Sequence, residues 1–195
     1  MIISASIQAA NQLFLLEEIN NNKNKFDQIH IDITDGHFTD NISMSFNHIS
    51  LIKKNTDYKV DVHLMLDNNE KFIKVAFENG ADLVYVHQES TTLDSFIEFQ
   101  NNFPQLGIAT LPNTQNESLK DYLKYAKAVL LLGVNPGYSN QKQSVDLLDK
   151  ARHFKNEYKD YSGLLVLDGG ITYEKLLETK SLGIDIVVQG GAIFG

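Results

Sequence analysis

The sequence predicts an α/β fold in which short, buried strands alternate with amphipathic helices. Strict alternation of the two indicates a parallel sheet with right-handed crossovers. Eight strands are the number that closes a (β/α)8 barrel, although an open, doubly wound sheet has the same local pattern. Helical patterns occur at Asn68–Glu78, Asn116–Tyr125, Ser144–Tyr158 and Tyr173–Ser181. The predicted strands are rich in Val, Ile, Leu or Tyr and too short for helices: Ile2–Ile7, Phe26–Ile33, Tyr58–Leu64, Asp82–His87, Leu106–Leu111, Ala128–Leu132, Leu164–Leu167 and Ile184–Val188.

Composition limits the classes of protein to consider. A chain of 195 residues fits one domain, which we expect to span residues 1–195. Seventeen basic and 25 acidic residues give a net charge of −8, which argues against a nucleic-acid partner or an anionic membrane surface. The absence of cysteine excludes disulfides and zinc-thiolate sites and fits a reducing compartment. With no apparent signal peptide and no long apolar run, we expect a cytoplasmic protein without a membrane partner.

Ionisable side chains gather at the ends of three predicted strands. His30 and Asp32 lie two residues apart, so they face the same side of their strand. Asp61 and His63 end the third strand, and Asp168 ends the seventh. In a parallel barrel these ends meet at one face, where two imidazoles and two carboxylates suit one divalent ion: zinc, iron, manganese or cobalt. Each residue alone also has an ordinary interpretation, as a hydrogen-bonded histidine or a turn aspartate.

The remaining histidines give weaker signals. His87 also ends a strand and could line the same mouth, but no feature of the sequence makes it a ligand. We expect His37, His48 and His153, in a loop or on helices, to lie at the surface.

Two glycine pairs indicate a site for an anion. Gly169-Gly170 follows the seventh strand and Gly190-Gly191 follows the eighth. Barrels often bind phosphate at these two loops through backbone N–H groups that glycine lets approach closely. The sequence therefore predicts phosphate binding at these loops.

Six blocks of the sequence, in order along almost the whole chain, resemble the ribulose-phosphate 3-epimerase family. The longest, HIDITDGHFTDN at residues 30–41, is similar to the family's HVDVMDGHFVPN. The others are DVHLM (61–65), NGADLVYVH (79–87), VNPGY (134–138), LDGGI (167–171) and GIDIVVQGGAIFG (183–195).

The resemblance implies a (β/α)8 barrel that inverts carbon 3 of a ketose 5-phosphate with the help of one divalent metal ion. It implies that Asp32 and Asp168 are the two acid/base groups and also metal ligands, together with His30 and His63. Ser6 would contact the substrate near the metal, and Met65 would pack around the reacting carbons. The phosphate of the sugar would be held by Gly137, Gly169, Gly170, Gly190 and Gly191.

Several positions depart from the family pattern. Thr34 and Leu132 replace methionines, and Thr39-Asp40 replaces Val-Pro. The family's GFGGQ loop reads GYSNQ at residues 137–141, and Gly191 replaces a serine. The sequence also stops at Gly195, so we expect the last helix to be missing or truncated, and a second copy of the chain is one way to cover that flank.

Three alternatives stay open at this point. The substrate could be a six-carbon ketose phosphate such as allulose 6-phosphate, for which Thr34 would leave room. Related decarboxylase and aldolase barrels carry Asp-x-Lys-x-x-Asp where this chain has Asp32-Ile33-Thr34-Asp35, without the lysine. A non-catalytic protein that binds sugar phosphates is the third alternative.

Overall fold

Eight parallel strands close into a barrel in which each strand pairs with its neighbours in sequence and β1 pairs with β8. The computed structural model describes all 195 residues. The barrel confirms the (β/α)8 prediction over the open sheet, and the predicted strand ends differ from the observed ones by two residues or fewer. The strands are β1 (Ile2–Ser6), β2 (Gln28–Thr34), β3 (Val60–Met65), β4 (Leu83–His87), β5 (Leu106–Thr110), β6 (Ala128–Leu132), β7 (Leu164–Asp168) and β8 (Ile186–Gln189).

Helices cover the outside of most of the barrel. Two of them begin at capping side chains: Thr92 accepts a hydrogen bond from the Ser95 N–H before α4, and Asp146 accepts one from the Asp149 N–H before α5. The helices are α1 (Leu15–Asn21), α2 (Asn47–Asn55), α3 (Glu70–Glu78), α4 (Leu93–Asn102), α5 (Leu147–Glu157), α6 (Leu176–Ser181) and α7 (Gly191–Phe194).

One predicted helix is wrong. The segment from Asn116 to Tyr125 contains only a 3₁₀ helix over Asn116–Leu119, followed by turns. Hydrogen bonds spanning three residues, such as Tyr122 N–H to Leu119 O, interrupt the α-helical pattern there. The Asn116 side chain also donates to the carbonyl of Lys150 on α5, which ties this segment to its neighbour.

The connection after β8 is short. Only the four-residue helix α7 follows this strand within the 195 residues. None of the helices is both long enough and apolar enough to cross a membrane.

The inside of the barrel has an apolar half and a polar half. Leu83, Leu130, Val166 and Ile186 belong to a buried apolar cluster inside the barrel from β4 to β8. On the β1 to β3 side, the buried interior is instead polar, with Ser4, Gln28, His30, Asp61 and His63. Buried polar groups need hydrogen-bond partners, so this half of the barrel holds its side chains in fixed orientations.

Candidate active site

Two histidines and two aspartates converge at the carboxyl ends of β2, β3 and β7. One ligand atom from each of His30, Asp32, His63 and Asp168 lies within 4.8 Å of all the others. His30 Nε2 is 3.2 Å from Asp32 Oδ1 and 3.7 Å from Asp168 Oδ2. His63 Nδ1 is 3.4 Å from the same two oxygens. The structure thus brings together the four residues that the family resemblance implies as ligands, and it places Asp61 behind His30.

The donor set fits a divalent cation. Four donors about 2.1 Å from one ion in a tetrahedral arrangement lie about 3.4 Å from each other, close to the four distances between histidine nitrogens and aspartate oxygens given above. The His63 Nδ1 atom is buried without a hydrogen-bond partner and faces the two carboxylates. An unpartnered buried nitrogen is costly unless something else binds it, and a cation would do so.

His30 is held from behind by a buried carboxylate. Its Nδ1 lies 2.5 Å from Oδ2 of Asp61, and Asp61 Oδ1 accepts from Ser4 Oγ at 2.5 Å and from Gln28 Nε2 at 2.7 Å. Because an ionised carboxylate only accepts hydrogen bonds, Nδ1 of His30 carries the hydrogen. Nε2, on the side of Asp32 and Asp168, is therefore the nitrogen that would bind a metal ion.

His63 is supported differently, through a second histidine. Its Nε2 lies 2.8 Å from Nε2 of His87, whose Nδ1 lies 3.1 Å from Oε2 of Glu89. The centroids of the two imidazoles are 4.9 Å apart and their planes differ by 24°, so the rings meet nearly edge to edge.

Charge in the pocket shifts several pKa values. Burial opposes protonation of His30, but the carboxylates of Asp61 and Asp32 outweigh it and raise the pKa well above its usual value. The pKa of His63 is raised as well, because Asp168 and Asp32 outweigh burial. Burial likewise opposes ionisation of Asp32, but the neighbouring histidines hold its pKa far below the usual range.

The pKa values of the two outer residues, His87 and Glu89, are both lowered. Burial lowers the pKa of His87 to about 4, so this ring is neutral at physiological pH. Burial tends to raise the pKa of Glu89, but its hydrogen bond with His87 outweighs this and lowers the pKa to about 2.

A cavity of about 560 Å³ opens above the four-residue cluster. This volume falls in the range of small-molecule sites. His30 and His63 are fully buried beneath it, while the carboxylates of Asp32 and Asp168 reach its floor. No lysine or arginine lines it, so a bound anion would depend on backbone N–H groups and neutral side chains. The predicted residues that line the cavity are Ser6, Asp32, Met65, Gly137, Asp168, Gly169, Gly170, Gly190 and Gly191.

Glycine is required at the loop after β7. Gly169 has φ +104° and Gly170 has φ +68°, a region that residues with a side chain rarely adopt. A Cβ atom at Gly170 would lie 2.6 Å from the Gln143 side chain. The glycine pair therefore lets the backbone approach the cavity.

The loop after β6 is tied to the opposite rim. The carbonyl of Gly137 accepts hydrogen bonds from Gln8 Nε2 at 2.9 Å and from Asn41 Nδ2 at 2.5 Å. Gln141 Nε2 donates to the carbonyls of Asn135 and Tyr138 within the loop. Side-chain hydrogen bonds thus hold this loop where the family has more glycine.

The departures from the family pattern lie at different places. Leu132 and Met65 line the cavity, whereas Thr34 is buried outside the lining with an unpartnered hydroxyl. Asn140 adopts φ +59°, and its side chain fills the space that a Cβ atom at Gly191 would need. Asparagine tolerates this backbone region better than most residues.

Sequence reasoning missed the outer partners of the histidines. Asp61 was visible as part of the DVHLM block, but its contact with His30 depends on the pairing of these residues across β2 and β3. Glu89 follows His87 by two residues, a spacing that was readable in the sequence. Nothing in the sequence could show that His87 faces His63.

A barrel of this kind, with ionisable side chains gathered at the carboxyl ends of its strands, has the layout of the (β/α)8 class of enzymes. The sequence profile of the ribulose-phosphate 3 epimerase family matches residues 2–194. The chain therefore belongs to the ribulose-phosphate 3-epimerase family and is an epimerase.

Individual relatives agree with the profile. The chain is 36% identical to the ribulose-phosphate 3-epimerase of Aquifex aeolicus over 177 residues, which cover 87% of this chain and 78% of that one. It is 31% identical to the Helicobacter pylori (strain J99) ribulose-phosphate 3-epimerase over 200 residues, covering 100% and 91% of the two chains.

Solved structures of lower sequence identity share the fold. The 3-keto-L-gulonate-6-phosphate decarboxylase of Vibrio cholerae superposes with a TM-score of 0.70 at 14% identity, over 100% of this chain and 90% of that one. A 3-hexulose-6-phosphate synthase gives 0.65 at 19% identity, over 100% and 92%. At these identities the likeness concerns the fold alone.

Proposed function

We propose that the protein interconverts ribulose 5-phosphate and xylulose 5-phosphate by inverting carbon 3. The observation that carries this proposal is the convergence of two carboxylates, from β2 and β7, on one cavity floor beside two buried histidines. Inversion needs two acid/base groups, because a single group would return the proton to the face from which it came.

We assign the acid/base roles to Asp32 and Asp168. Asp32 Oδ1 faces the two histidines, and its Oδ2 accepts a hydrogen bond from Ser6 Oγ at 2.7 Å. Asp168 also turns one oxygen, Oδ2, toward the histidines. Each aspartate therefore keeps a second oxygen for proton transfer: Oδ2 on Asp32 and Oδ1 on Asp168.

His30, Asp32, His63 and Asp168 would together hold one divalent ion. When bound, such a cation supplies positive charge that stabilises the enediolate left by removal of the C3 proton. One aspartate removes that proton, and the other gives a proton to the opposite face of the same carbon. Zinc, iron, manganese and cobalt all suit this ligand set.

Backbone groups would hold the phosphate at the other end of the cavity. No lysine or arginine lines the cavity, so no cationic side chain is there to bind the anion. The glycines that line that end are Gly137, Gly169, Gly170, Gly190 and Gly191. Amide N–H groups that glycine exposes bind phosphate well in barrels. Ser6 and Met65 would contact the sugar between the phosphate and the aspartates.

The experiment is an assay of metal-reconstituted protein on ribulose 5-phosphate, with xylulose 5-phosphate as the measured product. We expect turnover that a chelator abolishes and that added divalent metal restores. Metal-loaded, folded protein without turnover would overturn the proposed substrate. In that case, exchange of solvent deuterium into C3 would still separate an enzyme from a protein that only binds sugar phosphates.

A six-carbon ketose phosphate is the alternative substrate. Leu132 lines the cavity and is shorter than the methionine usual in the family, which favours a roomier site, whereas Thr34 lies outside the lining and adds no room. Comparison of kcat/KM on ribulose 5-phosphate and allulose 6-phosphate decides between them, and a higher value on the six-carbon sugar would replace our assignment.

A further inference from the structure

Three side chains form a hydrogen-bonded chain behind the candidate metal centre. His63 Nε2 lies 2.8 Å from His87 Nε2, and His87 Nδ1 lies 3.1 Å from Glu89 Oε2. Both imidazoles are fully buried, and the Glu89 side chain is 22% exposed. The proton transfers proposed above use neither His87 nor Glu89, so these two residues have another role.

The chemistry of the three groups fixes where the hydrogens lie. The carboxylate of Glu89 only accepts, so His87 Nδ1 donates to it. A neutral imidazole has one N–H, so once the buried His87 donates from Nδ1 to Glu89, its Nε2 is left as an acceptor. The short contact between the two rings then requires His63 Nε2 to donate. His63 Nδ1 consequently has a free lone pair, and this is the buried atom without a hydrogen-bond partner.

We propose that Glu89 and His87 are positioning residues that select the tautomer of His63 needed to bind the metal ion. This inference rests on the metal centre proposed above. It adds that Glu89, a carboxylate that would contact neither the metal nor the substrate, determines which nitrogen of His63 binds the metal. Histidine ligands commonly donate their other N–H to such an outer partner.

Glu89 is itself fixed in orientation. Its Oε1 accepts hydrogen bonds from the Leu111 N–H at 2.9 Å and from the Thr114 hydroxyl. In Glu89→Gln these two donors retain the amide oxygen, so the NH₂ group must face His87 Nδ1. Both hydrogen bonds then reverse direction, so that His87 accepts at Nδ1 and donates from Nε2. The hydrogen of His63 moves to Nδ1, the nitrogen that should bind the metal.

Zinc binding by purified protein tests the inference. The dissociation constant for Zn²⁺ is measured by competition with a chromophoric chelator in wild type, Glu89→Gln and Thr114→Val. The threonine variant is the matched control, since it loses one hydrogen bond to the same carboxylate but leaves Oε2 free to accept. We expect the dissociation constant to rise about 10- to 100-fold in Glu89→Gln and to stay within about twofold in Thr114→Val.

Nitrogen NMR reports the tautomers of His63 and His87 directly, and it does so in the wild-type protein. In zinc-loaded wild type we expect His87 to carry its hydrogen on Nδ1 and His63 to carry its hydrogen on Nε2 with zinc on Nδ1. A hydrogen on His87 Nε2 would overturn the inference even if Glu89→Gln failed to fold. Melting temperatures of the metal-free proteins separate a general loss of stability from a specific loss of zinc affinity.

The outcomes distinguish this inference from the metal centre on which it rests. If zinc leaves the His63 resonances of wild type unchanged, the proposed metal centre is wrong. If zinc binds His63 but Glu89→Gln behaves like Thr114→Val, the metal centre stands and the positioning role of Glu89 is wrong.

Discussion

The two ends of the cavity are built from different parts of the chain. At the proposed metal end, the site is formed by side chains on strands: His30, Asp32 and His63 are 6% exposed or less and have partners on neighbouring strands. At the proposed phosphate end, loops after β6, β7 and β8 present glycine backbone, and the nearby Tyr138 is 57% exposed.

This difference accounts for two of the departures from the family pattern. None of the four residues of the metal cluster is replaced, whereas the loop at residues 137–141 and position 191 both differ from the family pattern. A phosphate held by backbone N–H groups tolerates side-chain changes that leave the backbone path intact. Proton transfer requires particular functional groups at particular distances, so we expect the metal end to be the more sensitive of the two.

Removal of either carboxylate should have the largest effect. We expect Asp32→Asn and Asp168→Asn each to lower kcat by about 10³-fold or more, because an amide neither accepts nor delivers the proton. Initial rates on ribulose 5-phosphate at saturating metal, with bound metal quantified, give the measurement.

Exchange with solvent deuterium sharpens this prediction. Each variant keeps one aspartate, so it should exchange the C3 hydrogen of only one of the two epimers and without inversion. The two variants should favour opposite epimers. Exchange from both epimers in either variant would show that the acid/base roles lie elsewhere.

Substitution of Asp61, the carboxylate that holds His30, should have the next largest effect. We expect Asp61→Asn to weaken metal binding about 10- to 100-fold, since an amide at this position no longer fixes the hydrogen on Nδ1 of His30. Ser4→Ala is the matched control: it removes one donor to Asp61 Oδ1 but leaves the contact between Oδ2 and His30. Chelator competition measures both, and equal effects would mean that Asp61 acts only through packing.

The sequence was more informative about the metal end than about the phosphate end. His30 and Asp32 could be placed on one face of a strand from their spacing, and His63 and Asp168 could be placed at the same face from their positions at the ends of predicted strands. The contact between Glu89 and Thr114 could not be predicted, because it joins loops after β4 and β5 that meet only when the barrel closes. The helix predicted from Asn116 to Tyr125 on apolar spacing alone is absent, because local hydrogen bonds form a 3₁₀ helix and turns there instead.

Glycine substitutions test the phosphate end. We expect Gly170→Ala to raise KM for the sugar phosphate about 10-fold with little change in kcat, because a side chain at φ +68° costs about 1–2 kcal/mol and displaces the loop. Gly183→Ala is the control, since Gly183 has φ +69° but lies between α6 and β8 at the far end of the barrel. A large fall in kcat with unchanged KM in Gly170→Ala would show that this loop serves the chemistry rather than binding.

The smallest effect concerns the pair Asn140 and Gly191. A Cβ atom at position 191 would collide with the Asn140 side chain, so Gly191→Ser alone should raise KM several-fold by pushing Asn140 out of place. Asn140→Ala removes the obstacle, and the double variant should recover a KM near that of wild type. A coupling energy of about 1 kcal/mol between the two sites would be ordinary for residues in contact. Strictly additive effects would mean that Asn140 does not occupy this space in solution, and that the phosphate end is looser than its hydrogen bonds indicate.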